Sequence, residues 1–204
     1  NLFDVASLQE QYNKIKANDL HSIGTAGDFY HDTTGSVKFK PNPSNKPILR
    51  YPHRREDDNT GSVILYESPY RNEKQQVPHN LYVLCHDPYG QSQAADSTSL
   101  GAAYVIKRPN NISRPDDMIV ASYVGRPNSS DEFNRNLFML ADYYGCKIGF
   151  ENDRGEIIAY AKRYRKLHKL QEEFEMLDKK ELQSRTVKRQ YGMHMTEARK
   201  RQGE

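Results

Sequence analysis

Cysteine is scarce in this chain: Cys85 and Cys146 are the only two, each in or beside an apolar run where a free thiol behaves as a small hydrophobe. No CxxC pair or Cys/His cluster occurs, which argues against structural zinc. A chain of 204 residues needs no disulfide to fold, so a reducing compartment is the expected home, although spacing alone leaves a disulfide open. No run of about 18 apolar residues exists, which excludes a membrane-spanning helix. The amino terminus lacks the charged-then-apolar layout of a secretory signal. No Gly-rich loop ending in Lys-Ser or Lys-Thr occurs, so a phosphate-loop nucleotide motor is excluded as well. Charge of one sign is also missing. The 30 Lys and Arg against 27 Asp and Glu leave a formal +3, which permits an acidic partner without demanding one. Apolar residues make up 36% of the chain, so much of it must be surface or irregular structure.

The stretch with the strongest organisation is LYVLCHDPYG, Leu81 to Gly90. Bulk on both alternating faces suits a covered central strand, and Asp87 then opens a Pro88-Tyr89-Gly90 turn. Before it, Leu2, Val5, Leu8, Tyr12 and Ile15 recur at helical spacing within Asn1 to Leu20 and predict a short amphipathic helix. His21 to Asn59 reads as an irregular, solvated connector with a strand pair around Val37 to Phe39 and Ile48 to Tyr51. GSVILY, Gly61 to Tyr66, is a short strand candidate. Val77-Pro78 then breaks any sheet, and a domain boundary is placed there, with 1–76 as an extension and 77–204 as the main domain.

Beyond Leu81 to Gly90, the small and polar loop Gln91 to Thr98 contains Asp96. Ser99 to Lys107 and Met118 to Val124 read as two further strands, completing an antiparallel meander. The period then changes to that of a helix. Ser129 and Ser130 offer a cap, Asp131 and Glu132 acidify the first turn, Phe133, Leu137, Leu140, Ala141 and Tyr144 line one face, and Gly145 stops it. KIGFE, Lys147 to Glu151, is a fourth strand, parallel to one already in the sheet because a crossover helix leads to it. A second helix is predicted from about Glu156 through Leu167. The charged tail allows one helix, or a strand pair around Phe174 to Leu177 and Thr186 to Tyr191, and the final EARKRQGE has no apolar side to bury.

Asp87 and Glu151 each end an apolar strand and each is followed by turn residues. If the two strands are parallel neighbours, the acids lie about 5 Å apart at one sheet edge, the place where open α/β sheets bind ligands. Two carboxylates so close repel unless a cation sits between them. Oxygen-only ligands favour Mg²⁺ or Mn²⁺, and two such ions about 3.5–4 Å apart serve phosphodiester cleavage. Each acid has a plainer rival reading, Asp87 as a turn starter and Glu151 as part of a helix-entry loop. His86 faces away from Asp87 and suits a structural role, while His168 and His194 sit in charged surface sequence.

The order of elements, with Asp87 ending the first strand and Glu151 in FEN ending the fourth, resembles the ribonuclease H-like nucleases. More closely, VPHNLYVLCHDPYGQSQAADSTSLGAAYVIKR, then IVASYVGRP, then ADYYGCKIGFENDRG are similar to the nuclease domain of the large terminase subunit of tailed bacteriophages. The resemblance covers roughly Val77 onward, and 1–76 resemble the segment joining the packaging ATPase to the nuclease. It implies a ribonuclease H-like α/β fold and a metal-dependent endonuclease that cuts concatemeric double-stranded DNA. It also implies two Mg²⁺ or Mn²⁺ ions, with Asp87 and Glu151 as catalytic metal ligands and Asp96 in a supporting role. The implied partners are double-stranded DNA, the portal protein and the small terminase subunit, with no membrane, in the cytoplasm of the bacterial host. That family has one or two further Asp residues in a Gly-His-Asp-Asp-like run. Asp153 and Asp178 do not match it, so by resemblance the site is incomplete within this chain and its second ion weakly held or missing.

DNA contact would fall to cations around the acidic edge. Arg108 and Arg114 flank the meander turn, Arg126 and Arg154 lie in loops after the third and fourth strands, and Lys162, Arg163, Arg165, Lys166 and Lys169 fall within eight residues. Such groups neutralise phosphates without reading bases. The rival reading is a solubilising helix face, since Glu172, Glu173 and Glu175 follow closely. The competing functional class is a non-catalytic domain that docks on DNA or on the portal, because fold does not fix function.

Overall fold

The computed structural model describes residues 9, 13, 24–48, 57–89, 99–114, 116–152, 156–177 and 190–194. They form an α/β unit around one seven-stranded mixed sheet: β1 Thr25–His31, β2 Val37–Pro41, β3 Ser62–Leu65, β4 Tyr82–Asp87, β5 Gly101–Lys107, β6 Met118–Gly125 and β7 Ile148–Phe150. Their spatial order is β2-β1-β3-β6-β5-β4-β7. All neighbours are antiparallel except β4 and β7, which run parallel. The expected meander is therefore β4-β5-β6, and the expected parallel strand is β7. The helix α1, Ser130–Tyr143, provides the crossover between them.

Local chemistry explains these elements. The Ser129 side chain accepts the Glu132 amide at the start of α1, with Asp131 and Glu132 in the positive first turn. Phe133, Leu137, Phe138 and Leu140 of α1 are 2% exposed or less and fill the core against Leu84, Val105 and Val120. Each such side chain contributes about 1.5–3 kcal/mol by leaving water. The helix ends in a reciprocal pair of bonds, Gly145 N–H to Asp142 C=O (3.2 Å) and Cys146 N–H to Ala141 C=O (3.0 Å), with Gly145 in the left-handed region at φ +60°. Tyr144 follows α1 and donates its hydroxyl to the backbone carbonyls of Glu67 and Val120, tying helix to sheet.

Several expectations shift. The second helix does not reach Leu167: α2 spans Glu156–Arg163 and is closed by the same paired bonds, Arg165 to Lys162 (3.3 Å) and Lys166 to Ala161 (2.7 Å). Here Arg165 takes the left-handed conformation, at φ +56°, that glycine takes after α1. The Val37 strand pairs with β1 rather than with Ile48 to Tyr51. Ile48 is not in a strand, and 49–51 lie outside the described residues. The 32–36 turn makes that hairpin, with the Asp32 carboxylate accepting the amides of Thr34 (2.9 Å) and Ser36 (3.0 Å) and Gly35 at φ +80°. Strands from either side of residue 77 share the sheet, because β3 pairs with β6. Of the predicted amino-terminal helix, Gln9 and Asn13 are helical, and the rest lies outside the described residues.

Among the described residues the tail shows no long helix, and Phe174 to Leu177 is not a strand; 186–189 of the expected partner strand lie outside the described residues. Leu167–Lys169 and Glu173–Glu175 are single 3₁₀ turns, and Glu172 pairs with Tyr191. Instead, the outer edge of β7 is covered by backbone. Gln171 N–H donates to Ile148 C=O (2.9 Å), Met193 N–H to Phe150 C=O (2.8 Å) and Asn152 N–H to Met193 C=O (2.9 Å). A short strand with an otherwise open edge is thereby shielded from pairing with other chains.

Candidate active site at the ends of two parallel strands

Within β4, Leu84 and His86 are buried while Cys85 and Asp87 are exposed, as a period of two requires. His86 stacks on Phe133 of α1, with ring centroids 5.3 Å apart, so its face is the helix-covered one and Asp87 points the other way. The parallel register pairs Cys85 with Gly149 and His86 with Phe150. One further step sets Asp87 level with Glu151 on the exposed face, about 4.8 Å away by the ordinary strand spacing. Both acids line one cleft of about 300 Å³, together with Tyr104, Gly149, Met176 and Met193. Glu151 is fixed from its other side by the parallel bridge to Met193.

His86 is a core group. Its Nδ1 lies 3.1 Å from the Ala102 carbonyl, and burial lowers its pKa to about 4, partly opposed by that bond, so the ring is neutral. The Cys85 thiol shares the cleft, but burial raises its pKa against the opposing Arg108 guanidinium, which leaves it a thiol rather than a nucleophilic thiolate. Both cysteines are free, as the sequence suggests.

Behind the acids, Tyr89 packs edge-on to Phe133 (5.4 Å) beneath Arg126, whose guanidinium lies 5.1 Å from the ring centroid. Gly101 leaves the room these two rings need, since a Cβ there would collide with both. The Tyr89 hydroxyl is buried without a hydrogen-bond partner among the described residues, and burial raises its pKa. Tyr89 also lines a small cavity of about 20 Å³ shared with Glu151, Glu156 and Ser130, room for about one water. Nothing in the sequence spacing singles out Tyr89 beyond its place in the turn.

The predicted cations divide by position. Arg126 stands at the acidic edge, held by Nη1 bonds to the Ser99 carbonyl (2.8 Å) and hydroxyl (3.3 Å). Arg108 lies at the opposite end of the sheet, where its amide donates to the Leu81 carbonyl before β4 begins. Arg114 pairs with Asp116 in the β5–β6 connection. Arg163 bonds Asp131 (2.5 Å), while Lys166 (3.0 Å) and Lys169 (2.7 Å) converge on Asp142. Burial pushes the Asp142 carboxyl up, but the two ammoniums outweigh it and leave the pKa lowered. Lys162 and Arg165 are exposed and pair with no acid among the described residues. Asp96, Arg154, Asp153 and Asp178 lie outside the described residues.

The donor set fits one hard divalent ion. Mg²⁺ is ordinarily held by one or two carboxylates, with waters and substrate oxygens completing its sphere. Among the described residues no third His, Cys, Asp or Glu joins Asp87 and Glu151. No described helix is long and apolar enough to cross a membrane. No protein-family model, no curated protein and no solved structure matches the chain.

Proposed function

We propose that the chain is a metal-dependent endonuclease domain on a ribonuclease H-like sheet, of the kind found in the large terminase subunit of tailed bacteriophages. On this reading it cleaves double-stranded DNA during genome packaging. The observation that carries the reading is the register of β4 and β7, which brings Asp87 and Glu151 level on one exposed face at the carboxyl ends of parallel strands. The β6-β5-β4-β7 order, reached through α1, supports it as well. In the proposed reaction the Asp87 and Glu151 carboxylates would hold a divalent cation in the cleft that admits the phosphate. A divalent ion held there supplies Lewis-acid charge at the scissile phosphate. Arg126, fixed at the same edge, steadies the DNA backbone, and buried His86 supports the floor without exchanging a proton. By this reading the protein works in the cytoplasm of the bacterial host, with the portal and the small terminase subunit as partners.

A second reading, a non-catalytic domain docking on DNA or the portal, is favoured by one feature: the acids at the site number two among the described residues. Calorimetric titration with Mn²⁺ separates the two. The nuclease reading expects saturable binding that Asp87→Asn and Glu151→Gln each weaken at least about tenfold, a loss of one charge-assisted ligand. Binding unaffected by either substitution would remove the metal site and leave the docking reading.

A further inference from the structure

We propose a second site: the cleft at the start of β4, at the other end of the sheet from Asp87 and Glu151, binds a phosphate group. This cleft has a volume of about 310 Å³ and is lined by Arg108, Lys147, Lys169, His79 and His168, with Glu175 as the acid on its wall among the described residues. Its size falls at the lower end of small-molecule sites, which begin at about 300 Å³. Tyr82 and Cys146, 4% and 6% exposed, form part of its lining and give it a low-dielectric side that strengthens charge interactions.

Among the described residues the charges around it are not balanced. Asp142 serves both Lys166 and Lys169, so one carboxylate answers two ammoniums. Glu175 answers Lys147 at 2.7 Å, but both partners are partly exposed, and such pairs open easily. Arg108 makes no salt bridge with a described acid, and its amide is anchored to the Leu81 carbonyl, so its position is set by the sheet. A guanidinium fork beside ammoniums and imidazoles offers more donors than the described carboxylates, Asp142 and Glu175, take up, and phosphate supplies several acceptor oxygens at one point. Glu175 is then the internal competitor, occupying Lys147 until the ligand displaces it. The site lies roughly 15–20 Å from the acids by the rise along β4, so it does not hold the phosphate that the acids address.

The same chemistry arrives from two sources, a free phosphate monoester or the diester backbone of DNA. Calorimetry on the whole chain in EDTA, with inorganic phosphate as the probe, tests the site. Saturable binding is expected, about tenfold or more weaker in Arg108→Ala and severalfold tighter in Glu175→Gln. Asp87→Asn should leave it unchanged, which separates this cleft from the metal site. Competition then assigns the source: displacement by thymidine monophosphate alone marks a monoester, and displacement by a thymidine oligonucleotide without terminal phosphate marks the backbone. Absence of saturable binding, or affinities in Arg108→Ala and Glu175→Gln that both match the unaltered chain, overturns the proposal, even if Mn²⁺ binding at Asp87 and Glu151 is found.

Discussion

The two ends of β4 carry opposite chemistry. At its carboxyl end Asp87 and Glu151 face an open cleft from adjacent parallel strands. At its amino end Arg108, Lys147 and Lys169 line a cleft of nearly the same volume. The difference is one of construction. The acids come from strand ends, where a period of two and one parallel register decide which face each side chain takes. The cations come from separate connections, after β5, before β7 and after α2, and are brought together only when the sheet and the tail close. One end can be inferred from alternation, whereas the other exists only in the folded chain.

The two ends are also stabilised differently, and each can be broken alone. At the amino end, Lys107 opposite Tyr82 is fully buried, and its ammonium reaches Glu67 at 2.6 Å. Deleting the carboxylate leaves a buried, unpaired cation, so Glu67→Ala is expected to cost about 3 kcal/mol, measured as a shift in the urea midpoint at constant slope. Adding Lys107→Met should recover most of that loss, because an apolar side chain of similar length needs no partner. A loss below about 1 kcal/mol would mean that the pair behaves like a surface ion pair and does not hold this end.

At the carboxyl end the weak point is His86, whose effect depends on pH and is smaller than that of Glu67→Ala except at the acid end of its window. Its pKa is about 4 in the folded chain against an ordinary value of 6.5, because burial disfavours the imidazolium. Between these values the unfolded chain binds more protons than the folded one, so stability falls as pH drops from 6.5 to 4 and levels off below. The loss attributable to this ring reaches about 3 kcal/mol at the bottom of the window and about half that midway. Urea denaturation at stepped pH checks it: His86→Gln should flatten the profile in this window, and an unchanged slope would place the pH dependence elsewhere.

How much of this was legible in the sequence follows from the same contrast. The alternation in YVLCHD, the cap at Ser129 and the glycine after α1 are local signals, and each leads to the observed element. β1 gave no such signal: TAGDFYH lacks apolar alternation, and it becomes a strand because it pairs with β2 and β3, with Gly27 packed too closely on Phe39 and Lys40 for a side chain. The end of α2 was hidden because Arg165 holds a conformation that sequence rules assign to glycine. The cation run Lys162 to Lys169 reads as a free basic face until Asp131 and Asp142, more than 20 residues earlier, are found beside it. The tail's pairing with β7 is made by backbone groups, which leave no periodic trace.

The central claim concerns the acidic end, and plasmid nicking with Mn²⁺ tests it most directly. The account predicts that the chain nicks supercoiled DNA with Mn²⁺ and not in EDTA. It further predicts that Asp87→Asn and Glu151→Gln each abolish nicking, while Glu175→Gln at the basic end retains it. Nicking that survives both acidic substitutions, or no nicking at a Mn²⁺ concentration that saturates the site, would contradict it.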